Sequence, residues 1–327
     1  MDRTTLRAKS AAFSMQSQVA EFFGLRLNPF VGIPRPSEIY APPSFQRLEK
    51  QVIAAVSKEV PLVFIEGIQG IGKTCFLLYL ADRLRLHQEF VHIDQFDREF
   101  VRRMKKGKSI LEDLRDFTRA LSTSPRMSNK RLVFLIDDLQ KLDYNIAGGL
   151  IGLFSQGLFI DQVSIVATTA PDMMPVDKID DTSLISYFTL KPLGLIETER
   201  YLFQKFFTAG LVFSNHLFSE KSIELIWRLS RGVPREINIW TQALMMYAYE
   251  SKTKQISDDL VSELSRRLNL LSEYEYRQPK REMILRRNIL LDQKAHGLFA
   301  KIKHLFRKFL QLFMKRNIAV SHSHPKL

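Results

Sequence analysis

The stretch GIQGIGKT, Gly67 to Thr74, constrains this chain more than any other. It fits G-x-x-x-x-G-K-[ST], a pattern suited to holding phosphate. Gly67, Gly70 and Gly72 permit a tight turn that exposes successive backbone N–H groups, that of Ile71 among them. With the start of the following helix, those groups make a cradle for anions. Lys73 is placed to reach the β- and γ-phosphates of a nucleotide, and Thr74 to hold Mg²⁺ through its hydroxyl. The flanks agree. Leu62 to Ile65 read as a buried strand, and Cys75 to Leu86 are apolar at helical spacing. Cys75 completes the nucleotide-contacting stretch. It reads as a small buried helix residue, the sharper alternative being a thiol whose alkylation would block nucleotide binding.

A second stretch completes the chemistry. In RLVFLIDD, Arg131 to Asp138, five apolar residues end in two carboxylates, the pattern of a buried parallel strand. A carboxylate just beyond such a strand, beside a phosphate loop, holds Mg²⁺, a role that falls to Asp137. Asp138 stands where a catalytic carboxylate would polarise an attacking water. The run from Gln162 to Pro171 is another buried strand. Either Thr168 or Thr169 would lie at its C-terminal edge, where open α/β sheets bind ligands. With strands at Glu89 to Asp94 and Ser183 to Leu193, the alternation predicts a parallel sheet covered by helices on both faces.

After Leu193 the pattern is wholly helical, with four segments ending near Leu271. Gly210 and Gly232 are expected stops, Pro234 an expected start, and Trp227, Trp240, Met245 and Met246 core. Ser44 is the expected cap of a helix that opens the nucleotide domain. A basic cluster at Arg98 to Lys108 reads as a solvated face, with nucleic-acid contact as its alternative. The expected organisation is therefore a nucleotide domain over 1–193, a helical lid over 194–272 and a tail over 273–327.

Charge separates that tail from the body. From Arg277 onward there are thirteen basic residues against Glu282 and Asp292, so +11 of the net +13 lies there. Such asymmetry implies an anionic partner. Within His296 to Asn317 the residues Leu298, Phe299, Ile302, Leu305, Phe306, Phe309, Leu310 and Phe313 recur every three to four positions among lysines and arginines. A basic helix with such a face suits a membrane surface; docking on a partner protein and nucleic-acid binding are the alternatives. The N-terminus lacks a signal-peptide pattern, and no run of 18 uncharged apolar residues occurs. The single cysteine rules out an internal disulfide and fits a reducing compartment.

Taken in order, these stretches resemble the ExeA/GspA/MshM group of AAA+ ATPases (the general secretion pathway protein A family), and more distantly the TniB-like transposition ATPases. The likeness spans Glu21 to Leu264. It is carried by FFGLRLNPF and IPRPSEIYAPPSFQRLE, by GIQGIGKT and LVFLIDDLQ, and by LKPLGLIETERYLFQKFFTAG and SRGVPREIN. The resemblance implies an AAA+ P-loop fold, ATP and Mg²⁺ as cofactors with no other small-molecule substrate, and assembly into homo-oligomers. It makes Arg235 the sensor-2 arginine. The sensor-1 position falls on Ala170, which has no polar side chain, so Thr169 is the expected substitute.

Two departures from the group's pattern bear on rate. Its usual Walker B glutamate is Asp138 here, and a catalytic group held about an ångström short can cost about 100-fold. No arginine or lysine lies in Asn145 to Ser164 or Ile179 to Leu190, where an arginine finger is sought. Losing a finger removes about 10³-fold or more. The expectation is a slow, membrane-associated ATPase switch in secretion or pilus-type envelope assembly, cytoplasmic and peripheral on the inner membrane. A DNA-transaction ATPase and a nucleotide-binding scaffold without useful turnover are the alternatives.

Overall fold

The computed structural model describes residues 16–32, 34–87, 90–94, 130–139, 163–171, 184–211 and 217–267. Two compact units divide the chain: Glu21–Val261, and 1–20 together with 262–327. The first holds the sheet, the phosphate loop and the lid helices. Of the second, only 16–20 and 262–267 are described. The amphipathic stretch 296–317 and the basic cluster 98–108 lie outside the described residues.

Five strands form one parallel sheet: β1 (Leu62–Glu66), β2 (Phe90–Asp94), β3 (Arg131–Ile136), β4 (Val163–Thr169) and β5 (Ile185–Thr189). Their order is β2-β3-β4-β1-β5. The apolar runs explain the arrangement. Every residue of β3 and β4 is buried, as are Leu62 to Ile65, and strands apolar on both faces must lie inside a sheet covered on both sides. β5 is half exposed, as an edge strand can be. The register sets Leu62 beside Ile165 and Leu132 beside Val163, so β4 lies between the strand that feeds the phosphate loop and the strand that carries the paired aspartates.

Helix α1 (Pro43–Ser57) and helix α2 (Lys73–Leu84) pack on this sheet. Phe45, Leu48, Val52 and Val56 of α1 join Phe76, Leu80 and Leu84 of α2 and Val63 and Ile65 of β1 in the core. Phe45 meets Phe76 edge to face, with ring centroids 5.3 Å apart. Ser44 is not the cap expected of it. Pro42 holds the cap position and Pro43 begins the helix, as fits proline's fixed φ and missing N–H. The Ser44 hydroxyl instead donates to Glu197 Oε1 at 3.3 Å, tying this helix to the lid.

The lid comprises α3 (Leu195–Thr208), α4 (Glu220–Ser230) and α5 (Pro234–Glu250); a last helix, α6 (Asp258–Arg267), begins in the first unit and continues past Val261. Trp240, Met245 and Met246 are buried. Trp227 is only partly so, and its indole N–H donates to the Leu193 carbonyl at 3.0 Å. Leu193 N–H in turn donates to the Gly232 carbonyl at 2.9 Å. This close pairing explains Gly232. Its φ is +71°, and a Cβ there would stand 2.0 Å from the Leu193 carbonyl oxygen. Gly232→Ala should therefore lower stability by roughly 3–5 kcal/mol, combining left-handed strain with a backbone clash. A thermal melt within a degree or two of wild type would refute this account of the sheet-to-lid junction.

Candidate functional site

The C-terminal ends of β1, β3 and β4 converge on one spot. The turn after β1 runs Gly67 to Gly72, and Gly70 (φ +85°) and Gly72 (φ +107°) adopt the left-handed backbone it requires. Helix α2 starts at Lys73, so its first-turn N–H groups and its dipole face the concavity. Cys75 is partly buried in that first turn. Ile71 is buried beneath the loop and anchors it to the core.

Lys73 is buried. Its ammonium donates to the Gly67 carbonyl at 2.7 Å and lies 3.7 Å from Asp138 Oδ1. The charge thus sits at the centre of the loop, within reach of both its backbone and a carboxylate.

Thr74 and Asp137, separated by 63 positions in the chain, meet directly: the threonine hydroxyl donates to Asp137 Oδ2 at 2.6 Å. Asp137 Oδ1 accepts a second hydroxyl, from Thr168, at 2.7 Å. The Thr168 oxygen also accepts from the Asp138 N–H at 2.8 Å. One buried side chain therefore fixes both aspartates. It also accommodates Asp138 in a left-handed conformation, φ +50°, which is uncommon for a residue with a side chain. The register makes this contact available, because Ile136 pairs with Ala167 and the next residues of the two strands are Asp137 and Thr168.

Thr169 does not reach this cluster. Successive side chains along a strand point to opposite faces. The Thr169 hydroxyl donates to the Ala170 carbonyl at 3.1 Å. The polar strand-end residue that touches the carboxylates is Thr168. Thr168 and Thr169 stand together in the sequence, and the pleat admits only one of them to the site; which one is set by the register of β4 on β3.

Arg235 comes from the lid. It follows Pro234 in the first turn of α5, and its N–H donates to the Gly70 carbonyl at 3.2 Å. Its side-chain stem lies so close over Gly70 that a Cβ there would meet Arg235 Cβ at 2.7 Å. The lid thereby rests on the phosphate loop itself. Beside Arg235, burial raises the Glu236 carboxyl above its ordinary range, and the Arg235 charge partly offsets the shift.

A second lid helix flanks the same mouth. Tyr201 of α3 donates its hydroxyl to Asn238 Oδ1 at 2.7 Å, and its ring centroid is 6.1 Å from that of Tyr40. Burial pushes the Tyr201 hydroxyl well above its usual range. Lys205 Nζ lies 5.8 Å from the Tyr201 ring centroid. Burial raises the Cys75 thiol, the Lys205 charge opposing and Asp137 reinforcing that shift. A thiol held protonated is a poor nucleophile at neutral pH, which favours the packing role for Cys75.

Among the described residues no group of three or more His, Cys, Asp or Glu is arranged to hold a metal by itself. The Thr74–Asp137 pair suits the other kind of site, in which one or two protein oxygens share Mg²⁺ with nucleotide phosphates and water.

No protein-family model matches this chain, and no curated protein matches it. Solved structures do. Cdc6p from Pyrobaculum aerophilum superimposes with a TM-score of 0.53 at 18% identity, covering 73% of this chain and 70% of that one. Drosophila ORC bound to DNA gives a TM-score of 0.51 at 14% identity, covering 90% and 79%. The RuvB branch-migration motor of Thermotoga maritima gives 0.45 at 19%, covering 74% and 76%. At these identities the likeness is one of architecture. The parallel sheet and its helices have the AAA+ P-loop α/β fold.

Proposed function

We propose that this chain is an ATP-binding AAA+ switch that hydrolyses its nucleotide slowly. The observation that supports this reading is the meeting of Thr74, Asp137 and Thr168 beside Lys73 at the mouth of a glycine turn. The Gly67–Gly72 backbone would bind the phosphates, and Thr74 and Asp137 would hold Mg²⁺. Bound Mg²⁺ would supply charge neutralisation to the phosphates. Lys73 would exchange the Gly67 carbonyl for phosphate oxygens. Asp138, fixed by Thr168 through its N–H, would orient and polarise the attacking water. Arg235, already seated on Gly70, would carry nucleotide state into the lid.

Slow turnover follows from the shorter reach of Asp138 and from the absence of lysine and arginine in the two stretches where a finger is sought. Homo-oligomerisation belongs to the same reading, since a finger can be supplied by a neighbouring subunit.

For the partner, the DNA-transaction reading leads. Its support is the +11 charge from Arg277 onward, which suits phosphate contacts, and a fold shared with proteins one of which is recorded bound to DNA. The envelope-assembly reading, with the chain peripheral on the inner membrane, is supported by the ExeA-type sequence resemblance and by the Phe/Leu face of 296–317. Flotation with anionic liposomes against excess duplex DNA separates the two. DNA retention with loss of lipid binding favours the first, and lipid flotation that DNA does not displace favours the second.

Three further outcomes test the site. Lys73→Ala should abolish the thermal stabilisation that ATP–Mg²⁺ gives the wild type, with affinity lowered by about 100-fold or more. If ATP leaves the wild-type melt unmoved, the nucleotide reading itself is wrong. Asp138→Glu should raise kcat by about 10–100-fold by restoring reach; unchanged or lower turnover would show that carboxylate length is not limiting. Thr168→Val should cut kcat about tenfold or more, while Thr169→Val stays within about twofold. Equal effects would remove the distinction drawn between the two threonines.

A further inference from the structure

Helix α3 is apolar on two opposite sides. One side, with Tyr201, Leu202 and Phe206, is buried in the lid. The other carries Ile196, Phe203 and Phe207, which are 62%, 36% and 70% exposed. At about 100° of turn per residue, these three fall within about 40° of one another and form a straight row along the helix. A helix with apolar residues on both sides is suited to being covered on both.

The N-terminal segment adds to the row at its Phe207 end. There the Arg26 N–H donates to the Ala209 carbonyl at 2.8 Å, and the Phe30 ring centroid stands 5.6 Å from that of Phe206. Leu27 and Val31 of this segment are exposed as well. Leu27, Val31, Ile196, Phe203 and Phe207 are five of the nine exposed large apolar residues among those described. Single exposed apolar residues are ordinary, whereas a set gathered on one element marks a contact surface.

Charge points to what covers it. Arg200 is exposed on one flank of the row, and Glu199 lies on the other, about 100° away round the helix. Two copies of α3 packed in the same direction about a two-fold axis lay Ile196, Phe203 and Phe207 of one against the same residues of the other. The axis exchanges flanks, so Arg200 of each copy comes beside Glu199 of the other. Packed in opposite directions, the helices would put both arginines on one flank and both glutamates on the other. In the parallel pair, Leu27 and Val31 stand at the same end in both copies. The face is thus complementary to itself in one arrangement. Against an anionic lipid surface the charges of Arg200 and Glu199 would cancel and give no attraction.

We propose that this face of α3, extended by Leu27 and Val31, is the docking surface for a second copy of this chain, closing a two-fold dimer through the lids. It differs from a head-to-tail contact, through which a neighbour could supply a finger, because a two-fold contact uses one patch twice and closes at two. It does not rest on the nucleotide-binding reading.

The full-length protein, freed of nucleic acid, is followed by sedimentation equilibrium without nucleotide in wild type, F207E, R200E and E199R/R200E. Wild type is expected to show a monomer–dimer equilibrium. F207E should weaken the dimer by about 30-fold or more, since it sets a carboxylate in an apolar contact. R200E should weaken it by about tenfold, by facing Glu199 of the other copy with like charge, and E199R/R200E should recover most of that loss by exchanging both signs. All three variants should melt like wild type at concentrations where it is monomeric. If F207E melts early, R200E and E199R/R200E decide alone. A wild type that stays monomeric at the highest soluble concentration overturns the proposal. So does a well-folded F207E that dimerises like wild type, or an E199R/R200E variant no better than R200E. A species larger than a dimer that F207E dissolves also overturns it, because the contact would then be head-to-tail. A monomeric wild type that floats with vesicles of anionic lipid, and loses this in F207E, gives the face to a membrane and overturns it too.

Discussion

The site depends on one carboxylate accepting two hydroxyls. Asp137 takes Thr74 from the helix after β1 and Thr168 from the end of β4. Three chain segments remote in sequence are held at hydrogen-bond distance by a single side chain. Charge-assisted bonds of this kind are short and strong, and each contributes about 1.5–3 kcal/mol. The spacing from threonine to aspartate, which any shared Mg²⁺ must respect, is thereby set by the fold.

That carboxylate is placed by the sheet beneath it. β4 lies between β1 and β3, so the phosphate loop and the aspartates stand one strand apart, with room for a threonine between them. The opposite edge of the sheet is pinned differently. Arg131 is buried at the start of β3, where Nε donates to Ser164 Oγ at 2.8 Å and a terminal nitrogen to the Glu59 carbonyl at 2.8 Å. Ser164 passes the chain on to the Val60 carbonyl. A guanidinium supplies enough donors to satisfy several backbone oxygens at once, which a lysine in that place would do less well. One edge of the sheet is therefore tuned for chemistry and the other for cohesion.

Much of this was legible in the sequence. Apolar runs such as Leu132 to Ile136 can only be strands buried on both faces, and the five strands lie where those runs stand. The glycine pattern located the loop and Lys73 because backbone chemistry, and little else, dictates such spacing. Pro234 marked the start of α5 for the same reason. What could not be read was register. Whether Thr168 or Thr169 enters the site depends on how β4 slides against β3, and a one-residue slip exchanges the two faces. Ser44 misled because a proline pair just before it pre-sets the helix start more firmly than a hydroxyl does. The buried Arg131 gave no signal, since a charge at the head of an apolar run reads as a solvated strand end.

The strand order also governs when the molecule can become itself. β1, the strand that delivers the phosphate loop, pairs with β4 and β5 and with no strand adjacent in sequence. Ile165, the partner of Leu62, lies about 100 residues further along, so at ordinary ribosomal speeds β1 waits about 5–20 s for its neighbour. For that interval an apolar strand and a glycine turn emerge with nothing to pair against. Competence to hold phosphate thus waits on β4, which emerges long after the loop that it must support.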